Sequence, residues 1–193
     1  MTIEMKNVNK SYDNKYILKD FNHTFKKGET TFVTGESGIG KTTLIRMLLG
    51  LENEDSGEIK GADGLKKSAV FQDDCLCENL SIYLNIKLVC DDISKEKLKA
   101  ELEKIGLKDL QDRRVRELSG GMKRRVAILR ALCSEFDLLI LDEPFKGLDH
   151  QNKEKVMDYI LKKTENKTLI IVTHDREEEK YFSLRRKCKY INL

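Results

Sequence analysis

The spacing of apolar positions changes along this chain, and the changes mark out its elements. In the first third, TIEMKNV (2–8), YILKDFNHTF (16–25) and ETTFVTGE (29–36) carry strand-like composition, the last after a turn at Lys27-Gly28. KTTLIRMLLG (41–50) reads as a helix stopped by Gly50. The polar, glycine-containing stretch from Glu52 to Gly64 predicts a turn region before a short strand, SAVF (68–71). From about Leu80 to Glu117 the texture is helical and charged. SKEKLKAELEKIG (94–106) has Ser94 as candidate N-cap, apolar Leu98, Leu102 and Ile105, and a stop at Gly106. Helices and strands then alternate. A helix over Ser119–Ser134 precedes DLLILDE, and HQNKEKVMDYILKKT precedes the unbroken apolar run of KTLIIVTH. A short charged helix around Arg176 to Ser183 and a strand in KCKYINL complete the pattern. This order predicts an α/β fold with a mostly parallel sheet, helices on both of its faces and a small helical insertion near residues 75–118.

Composition narrows the class. The 193 residues suit one well-buried domain, and 39% hydrophobic with 36% charged residues indicates a globular chain with a heavily charged surface. A net charge of +3 is too small to argue for nucleic acid. MTIEMKNVNK lacks the apolar core of a signal peptide, and no apolar run approaches the ~18 residues that span a bilayer. Cys75, Cys77, Cys90, Cys133 and Cys188 are scattered, which favours reduced thiols over a zinc site. These features lead to the expectation of a soluble, intracellular protein; any membrane-spanning helices would come from another chain.

The first chemical motif is GESGIGKTT (35–43). It matches G-x-x-x-x-G-K-[ST] and lies between a predicted strand and a predicted helix. Gly35, Gly38 and Gly40 let the backbone turn its N–H groups toward phosphate, with Glu36, Ser37 and Ile39 completing the loop. Lys41 is placed to reach β- and γ-phosphates, Thr42 to complete a Mg²⁺ shell, and Thr43 to follow in the same turn. A phosphate loop needs a carboxylate for the metal, and LLILDEP supplies Asp142 for it and Glu143 as a general base on water. The competing reading has Glu143 cap the turn before Pro144. His174, after LIIVT, and Gln72, after SAVF, fall at strand ends, where α/β sheets gather their ligands.

A second anion site is written into RELSGGMKRRVAILRAL (116–132). Ser119, Gly120 and Gly121 open a helix, where free N–H groups and the positive dipole end point the same way. Lys123, Arg124 and Arg125 follow. A nucleic-acid reading of these three needs a groove or stacking platform that the sequence does not offer, so they are expected on a solvated face or near phosphate.

Together these pieces resemble the ATP-binding cassette of ABC proteins over nearly the whole chain, with LSGGM (118–122) in the place of the family's signature motif. The resemblance implies a P-loop NTPase with an N-terminal antiparallel β part. It also implies one ABC ATPase domain over 1–193, with a core of 1–74 and 119–193 and a helical subdomain of about 75–118. It implies ATP and Mg²⁺ as cofactors, and two cassettes packed head to tail so that each signature closes over the ATP of the other. Tyr12 matches the aromatic that stacks on adenine, Gln72 the nucleotide-sensing loop that abuts the membrane partner, and Asp149 in KGLDH the loop linking the two sites. His174 matches the histidine that orders the γ-phosphate, and Gln72 and Asp142 join Thr42 around the metal.

Met122 departs from the more usual glutamine, Phe136 stands where a proline is common, and the regions 50–72 and 75–118 are short, so the resemblance is to a minimal cassette. FQDD (71–74) and DEPFKGLD (142–149) are similar to the importer side, most of all the nitrate, sulfonate and taurine type. The expected protein is the ATPase subunit of a transporter, peripheral to the inner face of the cell membrane. It would pair with a second cassette, as homodimer or heterodimer, and with a separate permease, and no nucleic acid is expected. The alternative is an ABC-type ATPase acting on ribosomes or nucleic acid. A P-loop nucleotide kinase or a non-hydrolysing module fits less well with LSGGM, Glu143 and His174.

Overall fold

The computed structural model describes residues 2–193. Strands β1 (Thr2–Tyr12), β2 (Lys15–Lys26) and β4 (Ser56–Lys60) form an antiparallel sheet in the order β2-β1-β4. A five-stranded sheet has the order β5 (Lys67–Val70), β6 (Leu138–Asp142), β7 (Thr168–Val172), β3 (Thr30–Thr34), β8 (Cys188–Asn192). β3 runs parallel to both of its neighbours, pairing Phe32 with Ile171 on one side and with Tyr190 on the other. The helices are α1 (Lys41–Leu49), α2 (Ile82–Lys87), α3 (Lys95–Lys104), α4 (Gly120–Cys133), α5 (His150–Lys163) and α6 (Arg176–Ser183). The mostly parallel core sheet, the N-terminal antiparallel part and the helical insertion expected from the sequence are all present.

β4 is the element that the pattern hides. Its sequence SGEIK lies inside the stretch that reads as a turn. Gly57 has φ +95°, and a Cβ there would overlap the Asn7 carbonyl of β1, so the glycine marks a close strand approach rather than a bend. Asn7 itself has φ +48°, within a register shift of β1 that the Asn22 side chain braces by accepting the Asn7 N–H at 2.9 Å.

The chain divides into two compact units. The first comprises Met1–Lys67, Phe136–Ile140 and Asn166–Leu193. Its core holds Phe25, Phe32, Leu44, Leu48, Ile170, Ile171 and Phe182, all buried, with the Phe182 ring edge-on to Phe32 at 5.9 Å. Gly50, in the left-handed conformation at φ +74°, stops α1 as predicted and donates its N–H to Met47 and Arg46 carbonyls.

The second unit comprises Ser68–Glu135 and Leu141–Glu165. Ser94 caps α3, and Leu98, Leu102 and Ile105 are fully buried, as their spacing predicts. α4 is apolar on most of its circumference, with Val126, Ala127, Ile128, Leu129, Ala131 and Leu132 all buried. α3 meets α5 through a buried polar group, Glu101. Tyr159 donates to Glu101 Oε2 at 2.5 Å, while Lys163 and Lys104 lie 3.2 and 3.1 Å from Oε1. Burial works to raise the Glu101 pKa, but the bonds from Tyr159, Lys104 and Lys163 outweigh it and leave it below the ordinary value. The five cysteines are free thiols, and burial pushes Cys133 up to about 11.

Because the Glu101 pKa is lowered on folding, its contribution to stability is present above the unfolded carboxyl value and is lost as pH falls through the folded one. Glu101→Gln is therefore expected to cost roughly 1–3 kcal/mol at pH 7. Its unfolding free energy should fall less steeply than the parent's between about pH 5 and about pH 3. Urea titrations of both proteins across that range measure the two slopes, and identical slopes would remove the charge from α3–α5 packing.

Candidate functional site

In the first unit, β3 runs into the loop 35–40 and the loop into α1. Two glycines are required by space as well as by angle. Gly35 has φ +137° and a Cβ there would sit 2.8 Å from the Leu193 carbonyl; Gly40 has φ +124° and a Cβ there would enter the Ile17 side chain. Gly40 is the N-cap of α1, which has no side-chain cap and no acidic residue in its first turn. The first N–H groups of α1 thus lack a side-chain acceptor, at the positive end of the helix dipole. Lys41 is buried and its Nζ donates to the carbonyls of Gly35 at 2.7 Å and Glu36 at 2.8 Å. Glu36, Ser37, Gly38, Ile39 and Thr42 are exposed, and Thr43 is half-buried. This geometry suits the phosphates of a nucleotide: a glycine loop, a resident cation and an uncapped helix start.

His174 follows β7. Val33 and Val172 are register partners, and the Thr173 N–H reaches the Val33 carbonyl at 3.4 Å, so His174 leaves the sheet at the same edge as the loop after β3. Its side chain is exposed.

Tyr12, the last residue of β1, is 45% exposed. Its hydroxyl binds Glu52, whose other neighbours are Lys10 at 3.4 Å and Arg46 of α1 at 3.3 Å. Lys10 Nζ also lies 5.4 Å from the Tyr12 ring centroid. The Glu52 carboxylate raises the Tyr12 pKa, and the bond from Tyr12 lowers that of Glu52. The ring is a braced, exposed platform beside α1.

In the second unit the basic run after the signature is not where the sequence reading places it. Arg124 and Arg125 are 5% and 8% exposed, neither on a solvated face nor held for phosphate. Arg124 Nε donates to the Pro144 carbonyl (3.2 Å). Its Nη2 donates to the carbonyls of Asp142 (2.5 Å) and Glu143 (2.8 Å), and its Nη1 to those of Phe71 (2.5 Å) and Gln72 (3.3 Å) and to Asp74 Oδ1 (3.1 Å). Arg125 donates to the carbonyls of Ile105 and Gly106 and to Asn152 Oδ1, at 2.9, 3.0 and 2.9 Å. Only Lys123 faces outward, paired with Glu78 at 2.6 Å. The signal that could have located both arginines is the run that follows them: Val126 to Leu129 are buried in succession around α4, which leaves little solvated face beyond Lys123.

Gln72 is exposed, and its carbonyl is held through Arg124 together with those of Asp142 and Glu143. Asp142 is buried at the end of β6. Glu143 has the left-handed φ of +44°, rare for a non-glycine residue. Its carbonyl accepts the Lys146 N–H at 3.3 Å, and its carboxylate lies 3.1 Å from Lys146 Nζ. Glu143 thus opens the turn that contains Pro144, and its side chain remains half-exposed.

Ser119 is the N-cap of α4, its Oγ accepting the Met122 N–H at 3.3 Å. Gly120 opens onto free space, whereas a Cβ on Gly121 would sit 3.1 Å from the Gly147 carbonyl. The signature and the 146–149 loop are therefore packed together. Asp149 caps α5, accepting the Asn152 N–H at 3.0 Å and the Asn152 amide at 2.6 Å, which keeps its pKa low. Asn152, which the sequence reading passed over, joins Asp149 to Arg125.

Among the described residues no group of three or more His, Cys, Asp or Glu side chains forms a metal site, and no helix is long and apolar enough to cross a membrane. Taken unit by unit, Thr42 offers a hydroxyl in the first, and Gln72 and Asp142 an amide and a carboxylate in the second, each an oxygen donor of the kind Mg²⁺ takes.

The sequence profile of the ABC transporter family matches residues 18–146. The spermidine/putrescine import ATP-binding protein PotA of Spiroplasma citri is 37% identical over 194 residues, covering 91% of this chain and 55% of that protein. The phosphonates import ATP-binding protein PhnC of Fusobacterium nucleatum is 37% identical over 212 residues, covering 94% of this chain and 85% of that protein. The chain thus spans about half the length of the PotA relatives it matches. These names carry polyamines and phosphonates rather than the nitrate, sulfonate or taurine of the finer resemblance. Among solved structures, the dimeric structure of MJ0796, a bacterial ABC transporter cassette, superposes with a TM-score of 0.82 at 28% identity over 98% of this chain and 94% of that one. A bacterial Atm1-family ABC exporter with ATP bound shares the fold, at a TM-score of 0.83 and 23% identity over 36% of its length. With that match over residues 18–146, and with the phosphate loop and LSGGM helix start built as described, the chain belongs to the ABC transporter family.

Proposed function

We propose that this chain is the ATP-binding subunit of an ABC importer, hydrolysing ATP as a cassette dimer that drives a separate membrane permease. The observation that carries the reading is the presence of two phosphate-ready helix starts in one chain: the uncapped start of α1 behind the glycine loop, and the Ser119-Gly120-Gly121 start of α4. One chain needs only one for its own nucleotide. The second is accounted for when it serves the nucleotide of a partner.

The roles follow residue by residue. The loop 35–40, Lys41 and Thr43 hold the phosphates, and Tyr12 offers its ring to the adenine. Thr42, Asp142 and Gln72 hold Mg²⁺, which when bound neutralises phosphate charge. Glu143 accepts a proton from the attacking water, and His174 orients toward the γ-phosphate. Ser119, Gly120 and Gly121 donate to the γ-phosphate held by the other cassette, and Asp149 passes the state of one site to the other. A grip on a γ-phosphate that ADP lacks gives ATP a differential affinity for the closed dimer, the only kind that moves a conformational equilibrium. The importer direction is supported by the names of PotA and PhnC. On this reading the chain sits at the inner face of the membrane, held there by the permease.

Phosphate release tests the assignment. Glu143→Gln is expected to bind ATP with the parent's affinity and turn over at least ~10²-fold more slowly, and Lys41→Ala to lose ATP binding. Parent-like turnover by Glu143→Gln would remove Glu143 from the base role. Captured from gentle detergent extracts with Mg-ATP present, Glu143→Gln should bring down a polytopic membrane protein; ribosomal or DNA-bound partners alone would contradict the transporter reading. Ser119 needs a variant that keeps its cap. Ser119→Ala is expected to lower stability by about 1 kcal/mol. Ser119→Asp should retain the cap yet repel a partner's phosphate, giving normal monomer binding of ATP and little turnover. Parent-like turnover by Ser119→Asp would refute the in-trans role of the signature.

A further inference from the structure

We infer that Arg124 is a positioning residue for ATP hydrolysis: one buried guanidinium holds the Gln72 loop and the Asp142–Pro144 loop as a single body and keeps Glu143 in its left-handed conformation. The inference rests on the proposed function for its kinetic consequences, and on geometry within the second unit for everything else.

A guanidinium has five N–H donors in one plane. Here all five are engaged, on six acceptors: five backbone carbonyls and the Asp74 carboxylate. Three of the carbonyls belong to Asp142, Glu143 and Pro144, and two to Phe71 and Gln72, so the same group closes both loops. Removing it would leave carbonyls of both loops without a donor, which is costlier than the bond was worth. Lysine has three donors radiating from a point and cannot span both loops.

The second consequence concerns Glu143. A non-glycine residue at φ +44° is strained, and such a conformation persists only where its surroundings over-determine it. The carbonyls of Asp142 and Glu143 bind the same Nη2, so the two peptide planes flanking the Glu143 Cα are tied to one atom. That fixes the direction in which the Glu143 side chain leaves the backbone. Gln72 is treated likewise: its carbonyl is bound inward while its side chain is exposed. On both residues Arg124 acts through the backbone carbonyl. The phosphate loop belongs to the first unit, and all the acceptors of Arg124 to the second.

The test uses Arg124→Gln and Arg124→Lys, with ATP KM, kcat and amide hydrogen exchange measured on each. The expected result is a fall in kcat of about 10–100-fold, with KM for ATP within about twofold of the parent. Exchange at Asp73, Asp74, Glu143 and Phe145 should rise together while α3 and α5 stay protected. Free guanidinium added to Arg124→Ala should restore part of the lost kcat, which a purely structural contribution would not show. A kcat per active site equal to the parent's in a merely less stable protein would overturn the inference, as would exchange rising in only one of the two loops. If the parent itself releases no phosphate, the ATPase reading fails, and paired or unpaired loop exchange then decides the Arg124 clamp by itself. Should the Arg124 variants not fold, Asp74→Ala removes a single acceptor from the same fork. Joint loosening of both loops in it supports the clamp, and unchanged exchange and kcat refute it.

Discussion

A strand that ends in a working loop runs out of ladder partners, and the orphaned backbone carbonyls must be satisfied without closing the loop to its ligand. This chain answers in both units with a side-chain cation. After β3, Lys41 turns back and donates to Gly35 and Glu36. After β6 and β5, Arg124 donates to Asp142, Glu143, Pro144, Phe71 and Gln72. In each case the cation is held by carbonyl dipoles, so the loop keeps its amides or side chains facing out. The two cations differ in chemistry as their tasks do. Lys41 is a point charge that phosphate oxygens can share; Arg124 is a planar fork whose donors are already all in use.

The helix starts show the same division of labour. Three helices near the functional residues begin differently: α1 at Gly40 with no side-chain cap, α4 at Ser119 and α5 at Asp149, each with one. The uncapped start leaves room for a ligand to act as the cap. The serine cap donates and accepts, so its hydroxyl can serve the helix in one state and a phosphate in another. The aspartate cap is an anion that would repel phosphate, and its place is structural: through Asn152 and Arg125 it fixes the 146–149 loop beside the signature. Asp149 is therefore suited to relay position rather than to hold nucleotide directly.

Much of this was legible from residues alone because the relevant physics is local. The phosphate loop, the Gly50 stop, the Ser94 cap, the helix start at Ser119 and the buried β7 run each depend on neighbours within one turn or one strand. What was not legible depends on neighbours distant in sequence. SGEIK looks like a turn because of a glycine whose reason lies in the Asn7 carbonyl on another strand. Lys123-Arg124-Arg125 looks like a basic face because sequence shows charge and not the Phe71–Asp74 and Asp142–Pro144 carbonyls that surround Arg124. The importer type rests on FQDD and DEPFKGLD, short stretches whose backbones answer to Arg124, whereas relatives alike over nine-tenths of the chain are named for polyamines and phosphonates.

The central claim is that a chain with two phosphate-ready helix starts completes its sites only with a second cassette. Sedimentation velocity of Glu143→Gln, with Mg-ATP and separately with Mg-ADP, tests it most directly. The account predicts a dimer with ATP and a monomer with ADP, because only the γ-phosphate reaches the α4 start of the partner. A monomer in both nucleotides, or a dimer indifferent to them, would contradict it.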